Sequence, residues 1–317
     1  MPGYIDIGRT IRTVFEDAQV SNGGHRKLVV NLATIQAKAA TIANTSEDPL
    51  DGERQFNETF LSCLNCVLVV KKAEPGADRI VKFCDQFIQY IQAKEVKDRA
   101  GKPESDEEED GETVSTRFID SLINHLLRGL DAKDKIVRYR ACQFIAVIIG
   151  SLGEMDDALF QRLCLGLRKR TRDRESSVRV RAVIALSRLQ SDEQDEEDDD
   201  DDSIIELMIH LLQHDPSTEV RRAVLLNLQQ SPNTLSYILE RSRDVDAINR
   251  RYVFSKSLKE LGDFRLLSIG MREKVLKWGL EDRDANVRKA AGRMFATGWI
   301  EHTDNNLLDV KFQQAHD

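Results

Sequence analysis

An acidic turn followed by Val-Arg and then by small and apolar residues occurs four times in this chain, as DKIVRYRA (134–141), ESSVRVRA (175–182), DPSTEVRRA (215–223) and DANVRKAA (284–291). The motif valines, Val137, Val178, Val220 and Val287, stand 41, 42 and 67 residues apart, and a degenerate copy, DAINRRYV (246–253), divides the last interval into 29 and 38. A unit recurring at this interval cannot bury its apolar face alone and must stack on its neighbours, so the repeat constrains the whole chain. The motif has a local logic. The turn acid sits where a carboxylate caps the free N–H groups that open a helix. The Arg one turn in can reach the acid of its own or the next repeat, and the small residue beyond it lets the helices of adjacent repeats approach.

Between the turns nearly every stretch has the period of a helix. Phe118-Ile119, Leu122-Ile123, Leu126-Leu127 and Leu130 fall at i, i+4, i+8 and i+12, one face of a helix. Leu159, Leu163 and Leu165–Leu167 follow the same rule, as do Ile204, Leu207-Met208 and Leu211-Leu212. Only 6% of residues are aromatic and 6 are prolines, which speaks against a sandwich or barrel of strands. Two helices per unit and a period near 40 residues fall in the range of HEAT and armadillo repeats. The expected fold class is all-α, a HEAT-repeat α-solenoid in which antiparallel helix pairs stack into an armadillo-like superhelix. Residues 1–300 form this solenoid, with pairs at about 5–41, 55–91, 116–152, 157–190, 203–229, 233–260 and 265–299. Pro75-Gly76 reads as the stop of the helix Gln55–Val70. Two acidic loops, 101–114 and 191–202, are expected to be disordered insertions between repeats, and 301–317 a C-terminal tail.

The net charge of −8 misleads about the folded part. Glu104–Glu112 carries 7 acidic residues and Asp192–Asp202 carries 10, with no Lys or Arg in either. Blocks of like charge repel themselves and bury nothing. Without these 17 of the 54 acids, 46 basic residues face 37 acidic ones, a balance of +9. A polyanionic partner is therefore compatible with a pI of 5.4. Ser105 and Ser191 precede the acidic runs, as acidophilic kinases prefer, and phosphate there would add negative charge.

Five cysteines, at 63, 66, 84, 142 and 164, follow no secretory signal, and no apolar run is long enough to span a bilayer. A soluble intracellular protein with reduced thiols is expected. Cys63-x-x-Cys66 has a zinc-like spacing but no second pair, so these are read as core cysteines of a buried helix and no metal site is expected. His210 and His214, one turn apart, lack a third ligand and read as a solvated face. The chain has no Gly-rich phosphate loop, no GxSxG and no HExxH. No catalytic residue, cofactor or small-molecule substrate is expected.

Duplex DNA asks for Lys and Arg spaced to meet phosphates. The richest stretch is Arg168, Lys169, Arg170, Arg172 and Arg174, at a turn between two helices. Lys133, Lys135, Arg138 and Arg140 lie in the preceding repeat, and Lys71, Lys72, Arg250 and Arg251 elsewhere. Stacking brings equivalent turns into a row, so these thirteen residues are the candidate phosphate contacts. His25, Arg26 and Lys27 form a weaker cluster. Against this stands a structural reading, in which the Val-Arg arginines Arg138, Arg179, Arg221 and Arg288 bond turn carboxylates.

Several stretches carry a family resemblance: FNETFLSCLNCVLVVKKAEPGADRIVKF, FIDSLINHLLRGLDAKDKIVRYRACQFIAVII, LCLGLRKRTRDRESSVRVRAVIALSRLQ and NRRYVFSKSLKELGDF. With these the chain resembles the N-terminal part of the condensin HEAT-repeat subunit 3, or CAP-G, family over most of residues 5–300. Members of that family are much longer. The resemblance implies a non-enzymatic regulatory subunit acting in mitotic chromosome condensation. It implies a kleisin partner, through it the SMC ATPase pair and the other HEAT subunit, and duplex DNA bound without sequence specificity. It also implies that the turn bearing Lys71 and Lys72 faces DNA. It implies a place in the nucleus and on chromosomes with a cytoplasmic pool, and no membrane partner. The competing expectation is a HEAT-repeat adaptor, of transport or phosphatase-scaffold type, that binds only proteins. The two separate on whether the cations share one face or pair with acids.

Overall fold

The structure, a computed structural model, describes residues 6–42, 50–100, 113–152, 156–190 and 203–301. The two acidic tracts, Ser105, Ser191 and the tail after Glu301 lie outside these residues. Among the described residues there is no strand. The chain divides into two compact units, Met1–Arg188 and Leu189–Asp317.

The first unit holds α1 (Ile7–Ala18), α2 (His25–Ala40), α3 (Asp51–Leu68), α4 (Pro75–Ala100), α5 (Val114–Leu130), α6 (Lys135–Ile148), α7 (Asp157–Arg170) and α8 (Ser176–Leu186). Odd helices pack on odd, α1 on α3, α3 on α5 and α5 on α7; even helices pack on even, α2 on α4, α4 on α6 and α6 on α8. The second unit holds α9 (Ile204–His214), α10 (Thr218–Asn227), α11 (Pro232–Glu240) and α12 (Ala247–Tyr252). A π-helical stretch, Val253–Ser257, carries α12 on into Leu258–Glu260. Two further helices follow, α13 (Ile269–Leu280) and α14 (Ala285–Met294), the latter running into a π-helical Phe295–Ile300. Here α10 packs on α12 and α12 on α14.

Helix ends are set by local chemistry. Thr113 and Thr116 form a reciprocal capping box at α5, and Ser231 and Thr234 form another at α11, with Pro232 in its first turn. A lost cap of this kind costs about 1 kcal/mol. Pro75 also opens a helix, α4, rather than stopping α3, which has ended at Leu68. Its ring fixes φ near the helical value and its missing N–H is one that a first turn leaves unpaired anyway.

An aromatic cluster fills the core of the first unit. Phe56, Phe60, Phe87 and Phe118 are fully buried or nearly so, with ring centroids between 5.0 and 6.4 Å apart. Phe15 adds an edge-on contact to Phe60 at 5.1 Å. Each ring contributes about 1.5–3 kcal/mol by leaving water, and together they join helices from three consecutive pairs. Two of the motif's small residues, Ala141 and Ala291, meet a glycine on the first helix of their own pair. A Cβ on Gly129 of α5 would stand 3.1 Å from Ala141 Cβ of α6, and one on Gly279 of α13 would stand 2.6 Å from both Ala291 Cβ of α14 and Phe254.

The motif arginines tie the repeats together. Arg138 donates from Nη1 to its own turn, at Ala132 O (2.9 Å), and from Nε and Nη2 to both carboxylate oxygens of Asp173 in the next repeat (2.7 and 3.1 Å). In the second unit Arg221 bonds Asp215 O (2.7 Å) and Asp244 (2.8 and 2.8 Å). Arg250 bonds Asp244 O (2.9 Å) and Asp282 (2.7 and 3.0 Å). Arg179 and Arg288 make the same bond to their own turns, at Asp173 O (2.8 Å) and Asp282 O (2.6 Å). The acid that receives the preceding arginine is an Asp two residues before the helix cap. Its other task is to accept a backbone N–H two residues on: Glu175 N at Asp173, Asp246 N at Asp244 and Asp284 N at Asp282.

Burial pushes the carboxyls of Asp173 and Asp244 up, but the hydrogen bonds and charge of Arg138 and Arg221 outweigh it and hold both below the usual carboxylate range. For Asp282 the bond from Arg250 is the main cause of the same downward shift. A carboxyl depressed in the folded state stabilises the fold above its unfolded pKa, and that contribution disappears as pH falls through the folded value. Stability is therefore expected to be flat above about pH 5 and to fall below about pH 4. Asp244→Asn should cost about 3–5 kcal/mol at neutral pH by leaving Arg221 buried and unpaired. It should also flatten the acid limb, as urea melts from pH 3 to 7 would read.

Candidate nucleic-acid interface

The turns of the first unit are held side by side by bonds from one repeat to the next. Arg79 of α4 donates to Gln19 O at the end of α1 (2.7 Å). Arg140 of α6 donates from Nε to Val70 O (2.8 Å) and from Nη2 to Lys71 O, both in the turn after α3. Between the turns after α5 and α7, Lys169 meets Asp131 at 2.6 Å and Lys135 meets Glu175 at 3.1 Å, beside the Arg138–Asp173 rung. Packed helices lie about 8–10 Å apart, so three successive turns span on the order of 20 Å.

Of the thirteen candidate cations, five are exposed on this row and make no ion pair among the described residues. Lys71 and Lys72 occupy the turn after α3, Lys133 the turn after α5, and Arg172 and Arg174 the turn after α7. Ala73, beside the two lysines, has φ +65°, a left-handed backbone that costs an alanine about 1–2 kcal/mol. Lys135 and Lys169 are also exposed, each in a surface pair with an acid. Arg168 is half-buried and its backbone carbonyl accepts from Thr171 Oγ1 (2.7 Å).

Four candidates are used up inside the fold, and the phosphate reading of them is corrected. Arg140 is 0% exposed; besides the turn carbonyls, its Nη1 donates to Asp78 Oδ1 (2.6 Å) and Gln143 Oε1 (2.7 Å). Arg138 and Arg250 spend their forks on Asp173 and Asp282. Arg170 lies between Asp173 (3.0 Å) and Asp131 (3.7 Å) with a side chain 13% exposed. Arg251 is half-buried, its guanidinium 5.7 Å from the Tyr252 ring centroid, and lines a groove of the second unit rather than a turn. His25 is likewise buried, with Nε2 2.8 Å from Ala18 O, while Arg26 and Lys27 are exposed.

The cysteines divide. Cys84 and Cys142 are buried, and burial raises both thiols, that of Cys142 to about 12. Cys66 is exposed and Cys63 half-buried, so only one face of α3 at this point belongs to the core. No cluster of three metal-ligating side chains exists among the described residues, and His210 and His214 are both exposed. No helix among the described residues is long and apolar enough to cross a membrane.

Stacked helix pairs tied turn to turn, with arginines inward and cations on the turn edge, define a HEAT-repeat protein. No family model matches the chain. It is 44% identical over 297 residues to condensin complex subunit 3 of Schizosaccharomyces pombe, covering 94% of this chain and 30% of the relative. The protein of the same name from Saccharomyces cerevisiae is 37% identical over 321 residues, covering 98% and 30%, and that of Homo sapiens 31% over 278 residues, covering 87% and 26%. Among solved structures it is similar to a chain of the S. pombe condensin Cnd3-Cnd2 subcomplex, with a TM-score of 0.73 and 42% identity, covering 95% of this chain and 34% of that one. The chain is a homologue of condensin complex subunit 3 along nearly all of its own length and spans about 30% of the length of these relatives. The relatives bear the name of a complex subunit, not of an enzyme.

The roles of Arg140 and of the two lysines it underpins separate by stability. Arg140→Met should lower the unfolding free energy by about 1–3 kcal/mol, because it leaves the carbonyls of Val70 and Lys71 without their donor. Lys71→Ala with Lys72→Ala should leave it within about 0.5 kcal/mol per site, as exposed substitutions do. Urea unfolding followed by circular dichroism compares the two.

Proposed function

We propose that this chain is a non-enzymatic HEAT-repeat segment of a condensin subunit that holds duplex DNA through its turn edge and docks a kleisin segment. The single observation that supports DNA binding is the row of Lys71, Lys72, Lys133, Arg172 and Arg174, exposed and without acid partners on three successive turns. Lysines and arginines so placed attract phosphates and read no base. The turn carbonyls bonded by Arg140 hold Lys71 and Lys72 in place without using their charge. The kleisin partner, and through it the SMC pair, the other HEAT subunit and a role on mitotic chromosomes in the nucleus, rests on the relatives' name and on the similarity to the Cnd3-Cnd2 subcomplex. The pairing of Arg138, Arg140, Arg170 and Arg250 with acids favours the protein-only adaptor as a second reading.

Fluorescence anisotropy of a labelled random-sequence duplex, titrated at several salt concentrations, decides between them. Five phosphate contacts would give a slope of log affinity against log salt of about −4.5. Lys71→Glu with Lys72→Glu should reduce that slope by about 2 and weaken binding uniformly across sequences. Arg250→Met, in contrast, is expected to act on stability alone. A folded chain that fails to bind duplex at low salt, alone and with a kleisin fragment, would leave the adaptor.

A further inference from the structure

Two thiols stand together at the surface of the first unit. Cys63 and Cys66 are three residues apart on α3, Cys66 in its last turn. On a helix that spacing puts the Cα atoms about 5 Å apart, inside the range of about 4.4–6.8 Å that a disulfide bridges. Cys66 is exposed and Cys63 half-buried, whereas Cys84 and Cys142 are sealed in the core. The Cys66 thiol donates to Ser62 O at 3.6 Å, so its sulfur leans back along the helix to the level of Cys63. Both cysteines line one cavity of about 470 Å³ between α1, α3 and α4, to which α1 contributes Arg12 and Glu16. Among the described residues no third Cys, His, Asp or Glu joins them in a metal-ligating cluster. The chemistry left to the pair is between its own two sulfurs.

We propose that Cys63 and Cys66 are a redox modification site, which a hydroperoxide converts to an intrahelical disulfide and a small thiol restores. Cys66 meets the oxidant first because it is the exposed member. Its thiol loses a proton, the thiolate attacks one oxygen of hydrogen peroxide, and the O–O bond breaks. Cys66 becomes a sulfenic acid and the other oxygen takes a proton and leaves as water. The Cys63 sulfur then attacks the Cys66 sulfur, its proton goes to the departing hydroxide, and a second water leaves as the S–S bond forms. Two thiols are oxidised and one peroxide is reduced to two waters. Burial, and next the Cys66 sulfur, raise the Cys63 thiol against a smaller opposing pull from Arg12, which suits Cys63 to the second step rather than the first. In a regular helix Cβ atoms three residues apart lie about 5–6 Å from each other, and a disulfide draws them to about 3.8 Å. The last turn of α3 must therefore tighten, and its end already does so, where Val70 N donates to Val67 O three residues back at 3.0 Å. A disulfide that pulls against its helix is readily reduced, so the modification is reversible. The site uses none of the cations of the turn row.

The test treats the reduced 317-residue chain with hydrogen peroxide and weighs its tryptic peptides without reduction. One peptide, residues 55–71, holds both cysteines and no other. It should lose about 2 Da and regain them with glutathione. Phenylarsine oxide, which bridges two neighbouring thiols, should block that loss when given first. In Cys63→Ser, Cys66 should stop as a sulfenic acid that dimedone traps, and in Cys66→Ser the oxidation of Cys63 should slow at least about tenfold. Melting curves check that both variants fold, and the arsenical arm needs neither. A Cys66 that ends as sulfinic acid or as a mixed disulfide, with Cys63 still open to alkylation, would be a single reactive thiol and would overturn the proposal. So would an unchanged peptide, or oxidation of Cys84 and Cys142 at the same rate, which marks an opened chain rather than a site.

Discussion

A guanidinium with two addresses holds this structure together. Each motif arginine gives one edge to the carbonyl of its own turn, and Arg138, Arg221 and Arg250 give the other to an aspartate of the next repeat. The aspartate in turn fixes the backbone that carries it. A planar fork suits this task because both bonds to the carboxylate form at once with little further loss of freedom. Apolar burial supplies most of the driving force for stacking, but it does not direct where one turn lies relative to the next. The ladder does, and the surface of the turns follows from it.

The same ladder explains which cations are left for a partner. A charge count treats Arg138, Arg140, Arg250 and Lys71 alike. In the fold the first three are internal fasteners, because a buried guanidinium must be paired and hydrogen-bonded to be tolerated. Lys71 is a compact charge on a flexible stem in an exposed turn. The proposed interface is thus smaller than the sequence indicates, and the part of it on the turn after α3 stands on an arginine that the sequence placed within it.

The all-α class and the pairing of helices were legible because the apolar period and the Val-Arg interval point the same way. The rung between Arg138 and the next repeat was legible in outline. Its acceptor was not, since the motif marks the acids at the helix-cap positions themselves, Asp134, Glu175 and Asp284. The signal was present in the spacing Asp173-x-Glu175, Asp244-x-Asp246 and Asp282-x-Asp284, where the earlier member takes the arginine. Arg140 could not have been sorted from its neighbours by periodicity. Its burial depends on Val70, Lys71 and Asp78, more than 60 residues away in the chain.

Because the rungs from Arg138, Arg221 and Arg250 present the same donor and the same acceptor, these three joints do not depend on which two repeats they join. Arg138 meets at Asp173 the arrangement that Arg250 meets at Asp282: a carboxylate whose own backbone carbonyl is already bonded. A cut within a repeat would separate an arginine from its carbonyl, whereas removal or copying of one whole period would rejoin like to like. Chains built this way can lengthen or shorten by complete units without a new joint having to be invented. The unequal spacing of the motif, with the shorter period between Val220 and Asn249, shows how far helix length can drift while that joint is kept.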